Sequence, residues 1–256
     1  MSKVSTANKF VDLSDYGRPV ARFIANSLKN TKFTPVHVTY MFGVSGILAI
    51  ICIINEYYFL AGFFLILKSI LDAADGELSR VKNTPSYTGR YLDSIFDILL
   101  NLAFLVTISY VSNESWIYTF FAFIGIQLQG TLYNYYYIIL RNNLSGSDTT
   151  SRVFEDTVPK AFPGENQKTV NILFSIFNFL YSFFDKTIYQ LDKTAVNVKK
   201  IPKWFMTALS VYGLGFQLLL ISTLLVLNLK VYIIPFFIFY SSLIFVFIGI
   251  RKQFIK

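Results

Sequence analysis

Two short polar stretches, DAADGELSR at residues 72–80 and GRYLDSIFD at residues 89–97, interrupt a very apolar chain. The first holds two aspartates three residues apart, and the second holds two aspartates four residues apart. Residues at these spacings share one face of an α-helix. We therefore predict two helices whose facing carboxylates form a cup of oxygen ligands for hard divalent cations such as Mg²⁺ or Mn²⁺. The candidate metal ligands are Asp72, Asp75, Asp93 and Asp97.

The flanks of this motif decide between two interpretations of its acidic residues. On soluble helices, aspartates and glutamates usually form a solvated face. Here the residues at 57–71 and 98–108 are almost entirely apolar, which is typical of membrane helices. Carboxylates at the ends of membrane helices are costly and usually indicate function. We therefore favour a functional site over a solvated face.

Composition sets the class of protein. Of the 256 residues, 54% are hydrophobic and 18% aromatic, and the mean hydropathy is +0.50. We expect an all-α, polytopic membrane helix bundle. The single Cys52 excludes an intrachain disulfide. The net charge of +8 could suit nucleic acid, but in a membrane protein it indicates loops beside anionic lipid, so no nucleic-acid partner is expected.

Apolar runs about as long as a bilayer is thick predict six spans. They are residues 38–54, 57–72, 90–111, 116–140, 204–229 and 231–250. A first domain, residues 1–33, holds Val20, Phe23, Ile24 and Leu28 at helical spacing among basic residues, which predicts an amphipathic helix on the membrane surface. Residues 34–256 form the transmembrane domain.

A polar insertion at 141–168 precedes an ambiguous segment at 170–191, whose polar residues recur every three or four positions. The stripe comprises Asn171, Ser175, Asn178, Ser182, Asp185 and Tyr189. It could face either a cavity in the bundle or water above the membrane. Basic residues concentrate before the first span, in the loop at 80–90, across 141–203 and in the tail, which predicts that these regions and both termini are cytoplasmic. A seventh span would break this pattern, so we favour an interfacial or re-entrant helix at 170–191.

The motif resembles the signature of the CDP-alcohol phosphotransferases, Asp-x2-Asp-Gly-x2-Ala-Arg-x(7–8)-Gly-x3-Asp-x3-Asp. The chain matches it at Asp72, Asp75, Gly76, Arg80, Gly89, Asp93 and Asp97. Ser79 replaces the alanine, a change that nearly conserves volume. The surface helix leading into Thr34-Pro35 is also similar to this family, although Val36 stands where many members have asparagine.

The resemblance implies roles for these residues. Asp72, Asp75 and Asp93 would hold two divalent ions, with Asp97 as the general base that also touches an ion. Without the resemblance, the residues do not decide whether Asp97 is shared between the two ions or stays free of them. Gly76, Arg80 and Gly89 would bind the nucleotide, although glycines also serve helix packing. Lys82 and Arg90 could contact either phosphate or anionic headgroups, and the sequence does not separate these.

The expected activity is transfer of a substituted phosphate group from a CDP-linked donor to an alcohol acceptor, with release of CMP, in phospholipid or related biosynthesis. The donor could be CDP-diacylglycerol or a CDP-linked polar alcohol. Ile98, where family members that use inositol phosphates often have arginine, disfavours that acceptor. A cation transporter is the weaker alternative, because two glycines and an arginine at fixed spacings would have no role. We expect a homodimer in contact with membrane lipid, in a prokaryotic inner or cell membrane, with a cytoplasmic active site.

Overall fold

A computed structural model of the chain describes residues 10–145, 155 and 157–255, the side chains of 142–145 excepted. Every regular element in these ranges is helical, which confirms the all-α prediction. The helices are α1 Arg18–Leu28, α2 Pro35–Ile54, α3 Tyr58–Lys82, α4 Tyr87–Ser112, α5 Trp116–Ser145, α6 Gln167–Leu191, α7 Lys203–Leu209, α8 Leu214–Val226, α9 Ile233–Tyr240 and α10 Leu243–Phe254. Residues 1–9 of the predicted first domain and residues 146–154 and 156 of the predicted insertion lie outside the described residues.

Local signals fix where α2 begins. Thr34 accepts a hydrogen bond from the backbone N–H of His37, and the His37 ring accepts one from the backbone N–H of Thr34. This reciprocal arrangement is a capping box, followed at once by Pro35 at the first helical position. The lone histidine therefore has a structural role at this helix start.

The hairpin of α3 and α4 carries the motif. Helix α3 ends at Asn83, whose left-handed backbone (φ +59°) suits a C-cap, and α4 begins after Ser86, which caps the N–H of Gly89 at 2.8 Å. The Glu165 carboxylate accepts further hydrogen bonds from Ser86 and from the N–H of Thr88. Burial alone would raise the pKa of Glu165, but these hydrogen bonds hold it below its ordinary value. An ionised carboxylate thus stabilises the N-terminus of α4.

Close helix packing sets the position of α4. A Cβ at Gly43 would lie 2.9 Å from the Phe96 ring, and a Cβ at Gly46 would lie 2.7 Å from Leu100. Two glycines on α2 therefore let the face of α4 approach its backbone, as small residues do between membrane helices. Helix α3 packs against α1, α2 and α8, so the motif lies within the bundle.

The number of spans differs from the prediction. By length and apolar composition, the described residues offer three candidates: Pro35–Ile54, Tyr87–Ser112 and Lys230–Phe254. A fourth exists if Lys203–Tyr212 and Leu214–Val226, which meet at 49°, act as one bent span. Helices α3 and α5 fall outside this set because charges interrupt α3 and polar residues lower the hydropathy of α5. Helix α6, expected to be interfacial, is also outside it.

A buried ion pair anchors the last helix. Arg251 of α10 and Asp192, just after α6, are 4% and 0% exposed and form a salt bridge. The Asp192 carboxylate also accepts the Tyr136 hydroxyl at 2.6 Å, and Arg251 donates to Thr194. This network ties α5, α6 and α10 together.

We predict that Arg251→Met lowers the free energy of unfolding by about 3–5 kcal/mol, because it leaves a buried carboxylate without its cation. Lys252→Met is the matched control, since Lys252 is exposed and donates only to the Leu191 carbonyl among the described contacts. Thermal unfolding of the purified protein in detergent measures both. Equal effects of the two substitutions would contradict the role given to the buried pair.

Candidate active site

Three of the four motif aspartates converge. Carboxylate oxygens of Asp72, Asp75 and Asp93 all lie within 4.8 Å of one another. Asp75 is 8% exposed and accepts a hydrogen bond from the Thr39 hydroxyl of α2 at 2.8 Å. Asp93 Oδ1 is buried and has no hydrogen-bond partner in the described part of the chain. Convergent carboxylates with a free buried oxygen fit a hard divalent cation.

The fourth aspartate has a different partner. Lys68 of α3 is 0% exposed, and its ammonium group forms a salt bridge with Asp97. The same ammonium lies 3.5 Å from Asp72 Oδ2 and 4.7 Å from the centre of the Phe42 ring. A lysine therefore links Asp97 to the edge of the three-carboxylate cluster. The sequence prediction missed Lys68, although its position one helical turn before Asp72 was a usable signal.

A cavity of about 430 Å³ opens beside these groups. From the motif it is lined by Asp72, Asp75, Asp93, Asp97, Gly76 and Arg80. A Cβ at Gly76 would meet, among the described atoms, only the Arg80 guanidinium, at 3.6 Å. Gly76 is therefore not required for packing against another helix, and its bare backbone faces the cavity. This agrees with the predicted nucleotide role better than with helix packing.

Glu77 organises the cationic side of the cavity. It is 4% exposed and lies 3.1 Å from Arg80 and 2.7 Å from Arg18. Arg80 Nε is buried and has no hydrogen-bond partner among the described residues. Burial alone would lower the pKa of Arg18, but Asp15 and Glu77 raise it above its ordinary value. Two charged guanidinium groups therefore line the cavity beside Gly76.

The other predicted nucleotide and phosphate contacts lie elsewhere. Gly89 is held by the Ser86 cap at the start of α4. Lys82 donates to the backbone carbonyls of Thr31 and Phe33, and Arg90 pairs with Glu155. The described lining of the cavity contains none of Gly89, Lys82 and Arg90, so their contacts with donor remain predictions.

The segment before α1 forms part of the cavity wall. Asp12 accepts the Tyr133 hydroxyl of α5 at 2.5 Å and the Ser14 hydroxyl at 2.6 Å. Gly213 and Gly215, before and within the first turn of α8, lie so close to Ser14 that a Cβ on either would clash with it. Asp12 and Ser14 line the cavity. The sequence prediction missed this wall because no periodic pattern marks these residues.

Helix α6 closes another side. The Tyr181 hydroxyl donates to the Ser94 carbonyl of α4 at 2.8 Å, and Tyr181 and Asp185 both line the cavity. Asp185 belongs to the predicted polar stripe, whereas Asn171 and Asn178 of the same stripe are exposed. The stripe therefore faces the cavity at Asp185, whereas at Asn171 and Asn178 it lies on the surface of the described bundle.

Comparisons with known proteins indicate the family of the chain. The family model for CDP-alcohol phosphatidyltransferase matches residues 32–190. The chain is similar to the bifunctional IPC transferase and DIPP synthase of Thermococcus kodakarensis, with 34% identity over 95 residues, 37% of this chain and 22% of that protein. No solved structure matches the chain. Because the family model covers more than half of the sequence, including the whole aspartate motif, the chain belongs to the CDP-alcohol phosphatidyltransferase family.

Proposed function

We propose that this membrane protein transfers a substituted phosphate group from a CDP-linked donor to an alcohol hydroxyl and releases CMP. The observation that carries the proposal is the convergence of Asp72, Asp75 and Asp93 beside a cavity that two arginines also line. Family membership supports the same class of reaction. The relative is named a transferase and synthase, which agrees with group transfer.

The three convergent aspartates are the proposed ligands of two divalent ions, Mg²⁺ or Mn²⁺. When bound, such ions neutralise phosphate charge and orient an in-line displacement. The orphaned Oδ1 of Asp93 supports ligation, since buried polar atoms are rarely left unpaired. Arg80, with its unpartnered Nε, is placed to donate to a donor phosphate or to the base carbonyl.

Asp97 is the proposed general base. The acceptor oxygen forms a bond to the phosphorus of the donor, the bond from that phosphorus to CMP breaks, and the hydroxyl proton passes to the Asp97 carboxylate. Asp97 pairs with Lys68 and is not one of the three convergent carboxylates among the described residues. Asp97 also lines the cavity, where an acceptor hydroxyl can reach it. Its place outside the cluster favours the base role over a shared metal-ligand role.

Proposals about the type of donor, the side of the membrane on which the site lies and the oligomeric state rest on the sequence pattern and the family. CDP-diacylglycerol and a CDP-linked polar alcohol both contain the group that the motif would bind, so both remain candidate donors in phospholipid or related synthesis. The basic loops favour a cytoplasmic site, and the family resemblance favours a homodimer. Cation transport is the weaker function, because Gly76 and Arg80 facing the cavity would then lack a ligand.

Metal dependence is the first test. We expect CMP release to require Mg²⁺ or Mn²⁺ and to stop with excess EDTA. Calorimetric titration should show weaker Mn²⁺ binding for Asp93→Asn, because this change removes a convergent carboxylate. Asp185→Asn is the matched control for metal binding, since Asp185 lines the same cavity outside the three-carboxylate cluster. Full turnover in EDTA would overturn the metal assignment.

The base assignment is tested by comparing Asp97→Asn with Asp72→Asn. Asp97→Asn removes the proton acceptor and keeps its shape, so we expect turnover to fall about 10²- to 10⁴-fold while donor binding with metal largely survives. Asp72→Asn should instead weaken metal binding and, through it, donor binding. Initial rates paired with calorimetric titration of a CDP donor measure both. If Asp97→Asn lost donor binding as completely as Asp72→Asn, Asp97 would be a metal ligand and not the base.

A further inference from the structure

Beyond Asp97, the cavity is lined by uncharged hydrogen-bonding side chains. Asn101 lies one helical turn after Asp97 on α4 and is 8% exposed. Gln127 of α5 is 6% exposed, and its Nε2 has no hydrogen-bond partner among the described residues. A buried amide donor left unpaired costs free energy and is rare. This amide donor therefore points to a ligand that accepts a hydrogen bond in the cavity.

The two amides belong to the same level of the bundle. Helices α4 and α5 are joined by three residues, and such short connections make antiparallel neighbours. Gln127 comes 11 residues after the first residue of α5, and Asn101 comes 11 residues before the last residue of α4. The two side chains therefore lie at a similar depth in the bundle. Thr131 and Asn134 continue the cavity-facing stripe of α5 at helical spacing. A row of neutral donors and acceptors thus runs along one wall.

Positive charge lies at the opposite end. Arg18 and Arg80 are the basic residues among the described lining, and both pair with Glu77. Arg80 lies near the loop between α3 and α4, whereas Asn101 lies about four turns into α4, away from that loop. Lys68, the cation nearest Asp97, is already shared between Asp97 and Asp72. Among the described lining residues, no basic side chain at the Asn101 end of the cavity is available to bind a second phosphate.

Negative charge further restricts the ligand. Besides the motif aspartates, Asp185 of α6 lines the cavity, and its carboxylate has no hydrogen-bond or ion-pair partner among the described residues. A phosphorylated alcohol placed near Asp97 and Asp185 would meet like charges, which are strongly disfavoured in an enclosed site. A lipid alcohol would leave the amides of Asn101 and Gln127 without partners, which is also unfavourable. The hydroxyls of a small polyol satisfy both conditions.

We infer that the acceptor is a small polar alcohol without a phosphate group, of the polyol class, and that Asn101 and Gln127 bind its non-reacting hydroxyls. The inference rests on the proposed function, because it names the acceptor of that same reaction. Asn101 and Gln127 are specificity-determining residues in this assignment. One hydroxyl of the polyol lies toward Asp97 and loses its proton there, and the remaining hydroxyls face the amides.

The test compares matched acceptors with the full-length protein and Mg²⁺. Each CDP donor class is supplied with glycerol or glycerol 3-phosphate, with inositol or inositol 1-phosphate, and with diacylglycerol, and CMP release is measured. We expect the unphosphorylated polyol of a pair to exceed its phosphate in kcat/KM by about 100-fold or more. CMP release only with phosphorylated alcohols or with diacylglycerol would overturn the inference and leave the proposed function standing. No CMP release with any of these acceptors would overturn both.

Variants then test the binding residues. Gln127→Leu and Asn101→Leu should each raise the KM for the active polyol about 3- to 10-fold, the usual effect of losing one neutral hydrogen bond. Donor affinity, measured by calorimetry, should stay unchanged, which also shows that the variants are folded. Thr119→Val is the matched control, since Thr119 is buried on the same helix, bonds to Ser109 and does not line the cavity. Equal KM changes in the control, or unchanged KM values in both test variants, would remove the residue assignment.

Discussion

The site depends on one buried ion pair, that of Lys68 with Asp97. Several carboxylates within a membrane bundle repel one another, and removing them from water is costly. Lys68 offsets part of this charge from a fully buried position, and the Thr39 hydroxyl satisfies Asp75. The three aspartates whose carboxylates converge are distinguished from Asp97, whose partner is Lys68. Aspartates of one motif therefore lie in different electrostatic environments.

Glu77 plays a corresponding part at the end of the cavity lined by Arg18 and Arg80. Its buried carboxylate draws Arg80 of α3 and Arg18 of α1 to one point, so the surface helix is tied to the motif helix by charge as well as by packing. Arg18 in turn pairs with Asp15, which lies in the segment that walls the cavity. The residues at 12–18 therefore belong to the site structurally, although the sequence pattern separated them from the transmembrane domain.

The sequence predicted what depends on short spacings. The i, i+3 and i, i+4 intervals placed the aspartates on facing helices, with the predicted loop at 80–90 between them. Contacts between side chains that are far apart in the sequence could not be predicted in this way. Nothing in the local pattern around Lys68 indicates Asp97 as its partner, and nothing near Asp12 indicates Tyr133. Fewer described helices meet a length-and-hydropathy criterion than the six predicted spans, because α3 and α5 carry in their interiors polar residues that line the cavity.

In the hairpin of α3 and α4, the order of residues along each helix sets the order of chemical groups along the cavity. Moving away from the loop, α3 presents Arg80, then Gly76 and Asp75, then Asp72, while antiparallel α4 presents Asp93, Asp97 and then Asn101. Cations thus come first, convergent carboxylates next and a neutral amide last. A donor that carries its charge in a diphosphate matches the first two environments, and a hydroxyl-bearing acceptor matches the last. Since α3 packs against α2 and α8, and α4 packs against α2 and α5, the backbone fixes this order of chemical groups along the cavity.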